Sequence, residues 1–341
     1  MKDKIIKILK FTLPILLGLG LAWFFWNNYS EQEKKGFYNV FKDANYTILF
    51  LSLLVGLASH LARAKRWLYV LKPLGYKPSI YSSFYSIMIA YLMNIILPRV
   101  GEISRASVLA TTDKVPFEKG FGTIIVERFI DLLCLLIIGG IALIINMDNI
   151  DELLMLADTI NSGNPQESSS SIIGTIIICF FIGSIITIIL LWFFNTKIRD
   201  KIKSLISGFI MGIKSIIQMK DRLAYIFYTL IIWLCYVIMF WIPFYCWGDM
   251  YLMSFDGLLS AFIAGTLGFI VVQGGLGTYP IMVGIVITYY MAPEYFATNS
   301  VAKPEFVGFA TLIWLSQTVL VVVLGLMSLI LVKRVKTSSK T

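Results

Sequence analysis

Apolar runs of about 20 residues, the length needed to cross a bilayer, recur along almost the whole chain, and they leave few folds open. They fall at residues 8–28, 46–70, 120–145, 171–194, 223–247 and 306–332. Inside hydrocarbon every backbone N–H and C=O must find a partner within the protein, so such runs are helices. The chain is 58% hydrophobic and 14% charged, against roughly 25% charged in soluble domains. The apolar excess is spread along all 341 residues. The prediction is therefore an all-α, polytopic transmembrane bundle in one domain, 1–341, and not a soluble domain with a single anchor. The start, MKDKIIKILK before an apolar run, resembles a signal peptide. No small-residue cleavage site follows it, and the run ends in Trp23, Trp26 and Tyr29, a composition typical of the membrane interface. It is read as a retained first span.

Three further apolar pieces are shorter: 80–97, and then 257–272 and 281–291, each of these last two too short to cross comfortably alone. Each borders an interruption. The first leads into NIILPRVGEISRASVLA at 94–110, and the other two flank QGGLGTYP at 273–280. Charge places these pieces. Basic residues dominate the N-terminus, 63–79, 195–222 and the tail 333–341; 146–170 and 243–256 carry only acidic charge. By the positive-inside rule the first group, with both termini, is cytosolic and the second is outside. One secure span, 120–145, separates 72–79 from 146–170, so 80–97 enters from the cytosol and 98–112 returns. By the same parity 257–272 and 281–291 form a pair entering and leaving from the outer side. The expected topology is six full spans plus two re-entrant, broken helix pairs facing opposite ways, about eight membrane segments. Transporters place substrate sites at such interrupted helices. An ordinary eight-span bundle is the competing reading.

The formal charge of +9 is explained by positive-inside topology and anionic lipid, so no nucleic-acid partner is expected. The location is the cytoplasmic (inner) membrane. Residues 198–219 repeat apolar positions at helical spacing, from Ile198 and Ile202 to Ile213 and Ile216, and predict an amphipathic cytosolic helix. Residues 161–171 read as a polar loop. Cys134, Cys179, Cys235 and Cys246 have no ligand spacing, and His60 is the single histidine. A histidine metal cluster and a Ser/His/Asp triad are excluded, and no cofactor or metal is expected. No GK[ST] or GxGxxG phosphate loop is visible, so any transport is driven by a gradient or runs downhill.

Four groups of residues carry candidate chemistry. Arg99 and Arg105, with Glu102 between them, sit at the first interruption, where a guanidinium can grip phosphate bidentately. Glu127, Arg128 and Asp131 lie inside a predicted span, where charges are costly and mark function by default. Glu127 and Asp131 share a helix face, and Arg99 or Arg105 is expected to pair with one of them, as a structural clamp or around a polar cavity. Gly274, Gly275 and Gly277, beside Gln273, suit a re-entrant turn with exposed N–H groups for an anion, or a plain Gly/Pro kink. Arg63 and Arg66, next to Trp67, mark the cytosolic end of the second span. They either snorkel to the interface or draw anionic headgroups inward.

RAKRW at 63–67, N-x-x-L-P-R-x-G-E at 94–102, E-R-x-x-D at 127–131 and GGLG at 274–277 stand in an order and spacing that resemble the lysylphosphatidylglycerol synthase transmembrane-region family. The resemblance covers roughly 45–330. It implies a flippase-like membrane domain of the kind that translocates aminoacylated phospholipid in the multiple peptide resistance factor. It also makes Arg99, Glu102, Glu127, Arg128 and Asp131 the site residues. Nine residues follow the last span, so the C-terminal synthase domain of the best-known members is not expected. The resulting expectation is a transporter rather than an enzyme, moving or binding an anionic or aminoacylated phospholipid or a lipid-linked headgroup. A membrane-embedded lipid transferase and a scaffold for a partner lipid enzyme are the alternatives.

Overall fold

The computed structural model describes residues 16–97, 100–146, 219–272, 274–299 and 302–338. These residues are all-α. Helix α1 occupies 16–28, and α2 is Glu31–Asp43, α3 Tyr46–Leu71, α4 Ile80–Ile96, α5 Gly101–Thr112 and α6 Phe117–Ile145. There follow α7 Arg222–Trp241, α8 Phe255–Val271, α9 Thr278–Met291, the short α10 Pro293–Asn299, and α11 Pro304–Ser338. Four stretches among the described residues are long and apolar enough to cross a membrane: Tyr46–Leu74, Phe117–Ile145, Arg222–Tyr245 and Pro304–Val332. The expected amphipathic helix, the span at 171–194, the loop 161–171, Cys179, Gln273 and Arg99 lie outside the described residues.

The long helices run between two shared ends. At one, Lys72 pairs with Asp221 at 2.6 Å, joining the end of α3 to the start of α7. At the other, Asn45 N–H donates to Cys246 O at 2.7 Å, joining the start of α3 to the chain after α7. Helix α6 leaves the first end and reaches the second, where the Asn146 amide donates to Ser260 Oγ at 3.2 Å and the Tyr290 hydroxyl donates to Asn146 Oδ1.

Both interrupted regions are helical hairpins. Ser79 N–H, just before α4, donates to Asp113 Oδ1, just after α5, at 3.2 Å, so that hairpin starts and finishes at the first end. Its legs meet at Gly101, whose N–H donates to Asn94 Oδ1 at 2.8 Å. A Cβ at Gly101 would sit 2.4 Å from Ala90 O, so only glycine lets the legs close this tightly. In the second hairpin Gly268 packs on Tyr279 and Gly257 on Tyr290, which makes α8 and α9 antiparallel with their open end at the second end of the bundle. Small residues do this work because lipid supplies no hydrophobic drive between helices, and close backbone approach replaces it.

Helix α11 is the rail along which both hairpins lie. Gly284 of α9 packs on Val307, and the Trp314 indole donates to Gly274 O at 2.6 Å. Further along, Gly325 packs on Met88 and Leu92 of α4. The hairpins thus lie on α11 from opposite ends, with their tips directed at its middle. Gln317, at that level, brings its amide to 3.5 Å from Ser52 Oγ, a contact between α11 and α3.

Two segments are helical outside the apolar runs. Residues 31–43, between the first two runs, form α2, and the sequence carries its signal: Ser30 and Glu33 make a capping box in which each satisfies the other's backbone N–H. The tail past 332 continues as helix to Ser338. At the second end Glu33 also accepts from the Tyr295 hydroxyl at 2.7 Å. Burial lifts the Glu33 carboxyl, but the hydrogen bonds from Tyr295 and Ser30 outweigh it and hold its pKa below the usual value. A depressed carboxyl pKa stabilises the fold above the unfolded value, and that stability is lost as pH falls through the folded one. Tyr295→Phe should therefore lower the melting temperature at neutral pH, with the gap to wild type closing as pH falls below the usual carboxylate range. A gap that stays constant with pH would refute the link.

Candidate functional site: a buried arginine–carboxylate cluster

Residues three and four apart share a helix face, and three helices turn such faces to one point. Helix α3 contributes Arg63, Arg66 and Trp67, α6 contributes Glu127 and Asp131, and α7 contributes Tyr225, Thr229 and Tyr236. Arg105 of α5 completes the group. Asp131 lies 14 residues into α6, about 21 Å along it, so the cluster sits deep in a membrane-length helix.

Asp131 is gripped from two sides. Arg63 Nη1 lies 2.8 Å from its Oδ2, and Arg66 Nη1 lies 2.9 Å from its Oδ1. Arg63 also donates to the Tyr236 hydroxyl through Nη2 at 2.8 Å, and Arg66 Nη1 donates to Thr229 Oγ1 at 3.3 Å. Glu127 sits between the other arginines, with Oε2 2.7 Å from Arg105 Nη1 and Oε1 3.5 Å from Arg66 Nε. The Arg105 guanidinium stacks on the Trp67 ring at 3.9 Å, and the Trp67 indole donates to Thr123 Oγ1 at 2.9 Å. Arg66 lies over the Tyr225 ring at 5.5 Å. Arg66 is 0% exposed and Glu127 is 1% exposed.

A second, more accessible pair borders this core. Arg128 Nη2 lies 3.0 Å from Glu102 Oε1, tying the start of α5 to α6, and its Nη1 lies 4.0 Å from Asp131 Oδ2. The Arg128 side chain is 46% exposed. Glu102 stands in the first turn of α5, where the helix N-terminus favours negative charge.

The expected partnership between the first interruption and the carboxylates of α6 exists: Arg105 meets Glu127. Asp131 takes Arg63 and Arg66 instead. Those two do not extend to the helix end; both are buried within the bundle. Their i, i+3 spacing matches the i, i+4 spacing of Glu127 and Asp131, and that match was the legible signal for the pairing. Tyr225, Thr229, Tyr236 and Thr123 were not singled out in the sequence, since a lone hydroxyl in an apolar helix carries no mark until its partner is known. Gly274, Gly275 and Gly277 form the tip of the second hairpin, all with positive φ. Gly277 packs against Gly18 of α1, where a Cβ would lie 2.2 Å from Gly18 O. The tip has these partners and Trp314; among the described residues no hydrogen bond or ion pair joins it to the charge cluster.

The profile of the lysylphosphatidylglycerol synthase TM region matches residues 11–325. The chain belongs to this family. No curated protein and no solved structure matches it. As a member of the lysylphosphatidylglycerol synthase TM region family it is a polytopic helical membrane protein with flippase-like character. Among the described residues no group of histidine, cysteine or carboxylate side chains has the arrangement to hold a metal.

Proposed function

We propose that this protein moves a phospholipid or lipid-linked headgroup across the cytoplasmic membrane, using the cluster around Arg66, Arg105, Glu127 and Asp131 as its headgroup site. One observation carries the reading. Three buried arginines, 63, 66 and 105, face two carboxylates, 127 and 131. Buried charge left uncompensated is expensive, and inside a membrane it marks a substrate or ion pathway. The accessible Arg128–Glu102 pair is the way in, since it borders Asp131 and is the least buried part of the network. The two hairpins, with tips directed at the middle of α11, supply the interrupted helices that transporters use to gate such a site. The basic end faces the cytosol, as the positive-inside rule requires.

Purified protein in liposomes should speed the exposure of fluorescent phospholipid from the inner leaflet relative to protein-free liposomes. Arg128→Ala, which leaves the buried core intact, should slow this about tenfold, the cost of one charge-assisted contact of about 1.5 kcal/mol. Liposomes that move none of several headgroups faster than protein-free controls would end the transport reading. A covalently altered lipid would replace it with the transferase.

A further inference from the structure

The two arginines nearest Glu127 leave the same edge free. In arginine, Nε and Nη2 point their hydrogens the same way and form the fork that accepts two oxygens of one oxyanion side-on. Arg66 spends Nη1 on Asp131 and Thr229, and Arg105 spends Nη1 on Glu127. The Nε and Nη2 atoms of both are buried and have no hydrogen-bond acceptor among the described residues. Glu127 Oε1 approaches Arg66 Nε only to 3.5 Å, too far and too poorly aligned to close that fork. Arg66 Cζ lies 5.5 Å from the Tyr225 ring centre and Arg105 Cζ 3.9 Å from that of Trp67, and neither side chain accepts a hydrogen bond from these Nε and Nη2 atoms. Two buried forks, both open, flank one carboxylate.

We infer that these two forks bind the phosphodiester of a lipid headgroup, and that Glu127 is the internal carboxylate the phosphodiester displaces. This rests on the headgroup reaching the cluster, as proposed above. The charge fits the class. Arginine stays protonated, so three guanidinium groups against Glu127 and Asp131 leave one positive charge over. A phosphodiester carries one negative charge and brings the cluster to neutrality, whereas an uncharged headgroup leaves the surplus in place. Its two non-bridging oxygens match the side-on fork, and a lysine in either position keeps the charge but has no fork.

The test measures binding to the full-length protein in uncharged detergent micelles. The probes are dihexanoyl phosphatidylglycerol, dihexanoyl glycerol, which lacks the phosphate, and inorganic phosphate. Wild type should bind the phosphatidylglycerol at least about tenfold more tightly than dihexanoyl glycerol, as a charge-assisted fork requires. Arg66→Lys and Arg105→Lys should each weaken phosphatidylglycerol about tenfold or more and leave dihexanoyl glycerol unchanged. Glu127→Gln, which removes the competing carboxylate at nearly constant volume, should tighten phosphatidylglycerol about tenfold.

Equal binding of the two lipids by wild type overturns the inference without any variant. So does lysine in both positions with undiminished phosphatidylglycerol binding, and so does a site that takes inorganic phosphate but no lipid. The inference and the transport reading fail separately. Liposomes that move lipid while both lysine variants bind normally remove the forks and keep transport. Lysine-sensitive binding in a protein that moves no lipid keeps the forks and removes transport.

Discussion

Replacing Glu127 with glutamine lowers the stability of the lipid-free protein by about 3–5 kcal/mol, the cost of breaking a buried ion pair from one side. The magnitude follows from position. Glu127 is 1% exposed and lies between Arg66 and Arg105, which stay charged and stay buried when it is neutralised. Three guanidinium groups then face Asp131 alone. Unfolding in detergent, followed by loss of helical signal with denaturant, measures the change. Pairing the mutation with Arg105→Gln should recover part of the loss, because the double variant no longer buries a charge without its partner. At one concentration well above both Kd values, a short-chain phosphatidylglycerol should stabilise the Glu127→Gln variant about 1.4 kcal/mol more than wild type, the tenfold tighter binding expressed through linkage. A single variant that unfolds like wild type would mean Glu127 carries no charge that the arginines require.

Trp67→Ala is expected to cost about 3–5 kcal/mol as well, for a different reason: a fully buried indole leaves a cavity that its neighbours do not fill. Trp67 is 0% exposed and packs in a core with Leu71, Ile87, Leu109, Val115 and Ile124, drawn from α3, α4, α5, α6 and the link between the last two. It also carries the Arg105 guanidinium on its face and fixes α6 through Thr123. Trp67→Phe keeps an aromatic face for Arg105 and loses the indole hydrogen bond, about 1 kcal/mol, and it leaves a smaller void than alanine does. The expected order of stability is therefore wild type, Trp67→Phe, then Trp67→Ala, well separated. If the two variants unfolded together, the hydrogen bond to Thr123 would outweigh the packing, contrary to this account.

The spans were legible because length and apolarity are local properties. The run at 46–70 became Tyr46–Leu71, and 223–247 became Arg222–Trp241 with a short 3-10 turn after it. The hairpins were legible through charge parity together with the residues that interrupt them, glycine above all. Helix α2 was readable in Ser30-x-x-Glu33, but it is too polar to stand out beside the apolar spans. Arg63 and Arg66 left two readings open in the sequence for a physical reason, and their burial removes only the interfacial one. A basic residue near a helix end reads as interfacial unless a counter-charge is known to lie opposite, and Asp131 is 65 residues or more away along the chain.

The sequence alone determined that this chain is a bundle of membrane-length helices with two interrupted pairs. Hydrocarbon forces every backbone group into a helix, and that demand acts on each segment separately. Only the tertiary structure decided which arginine meets which carboxylate, and that Arg66 and Arg105 keep one edge free. Ion pairing between helices depends on rotation and depth, which are set by glycine contacts such as Gly101 on Ala90 and Gly325 on Leu92 and are not written in any one segment.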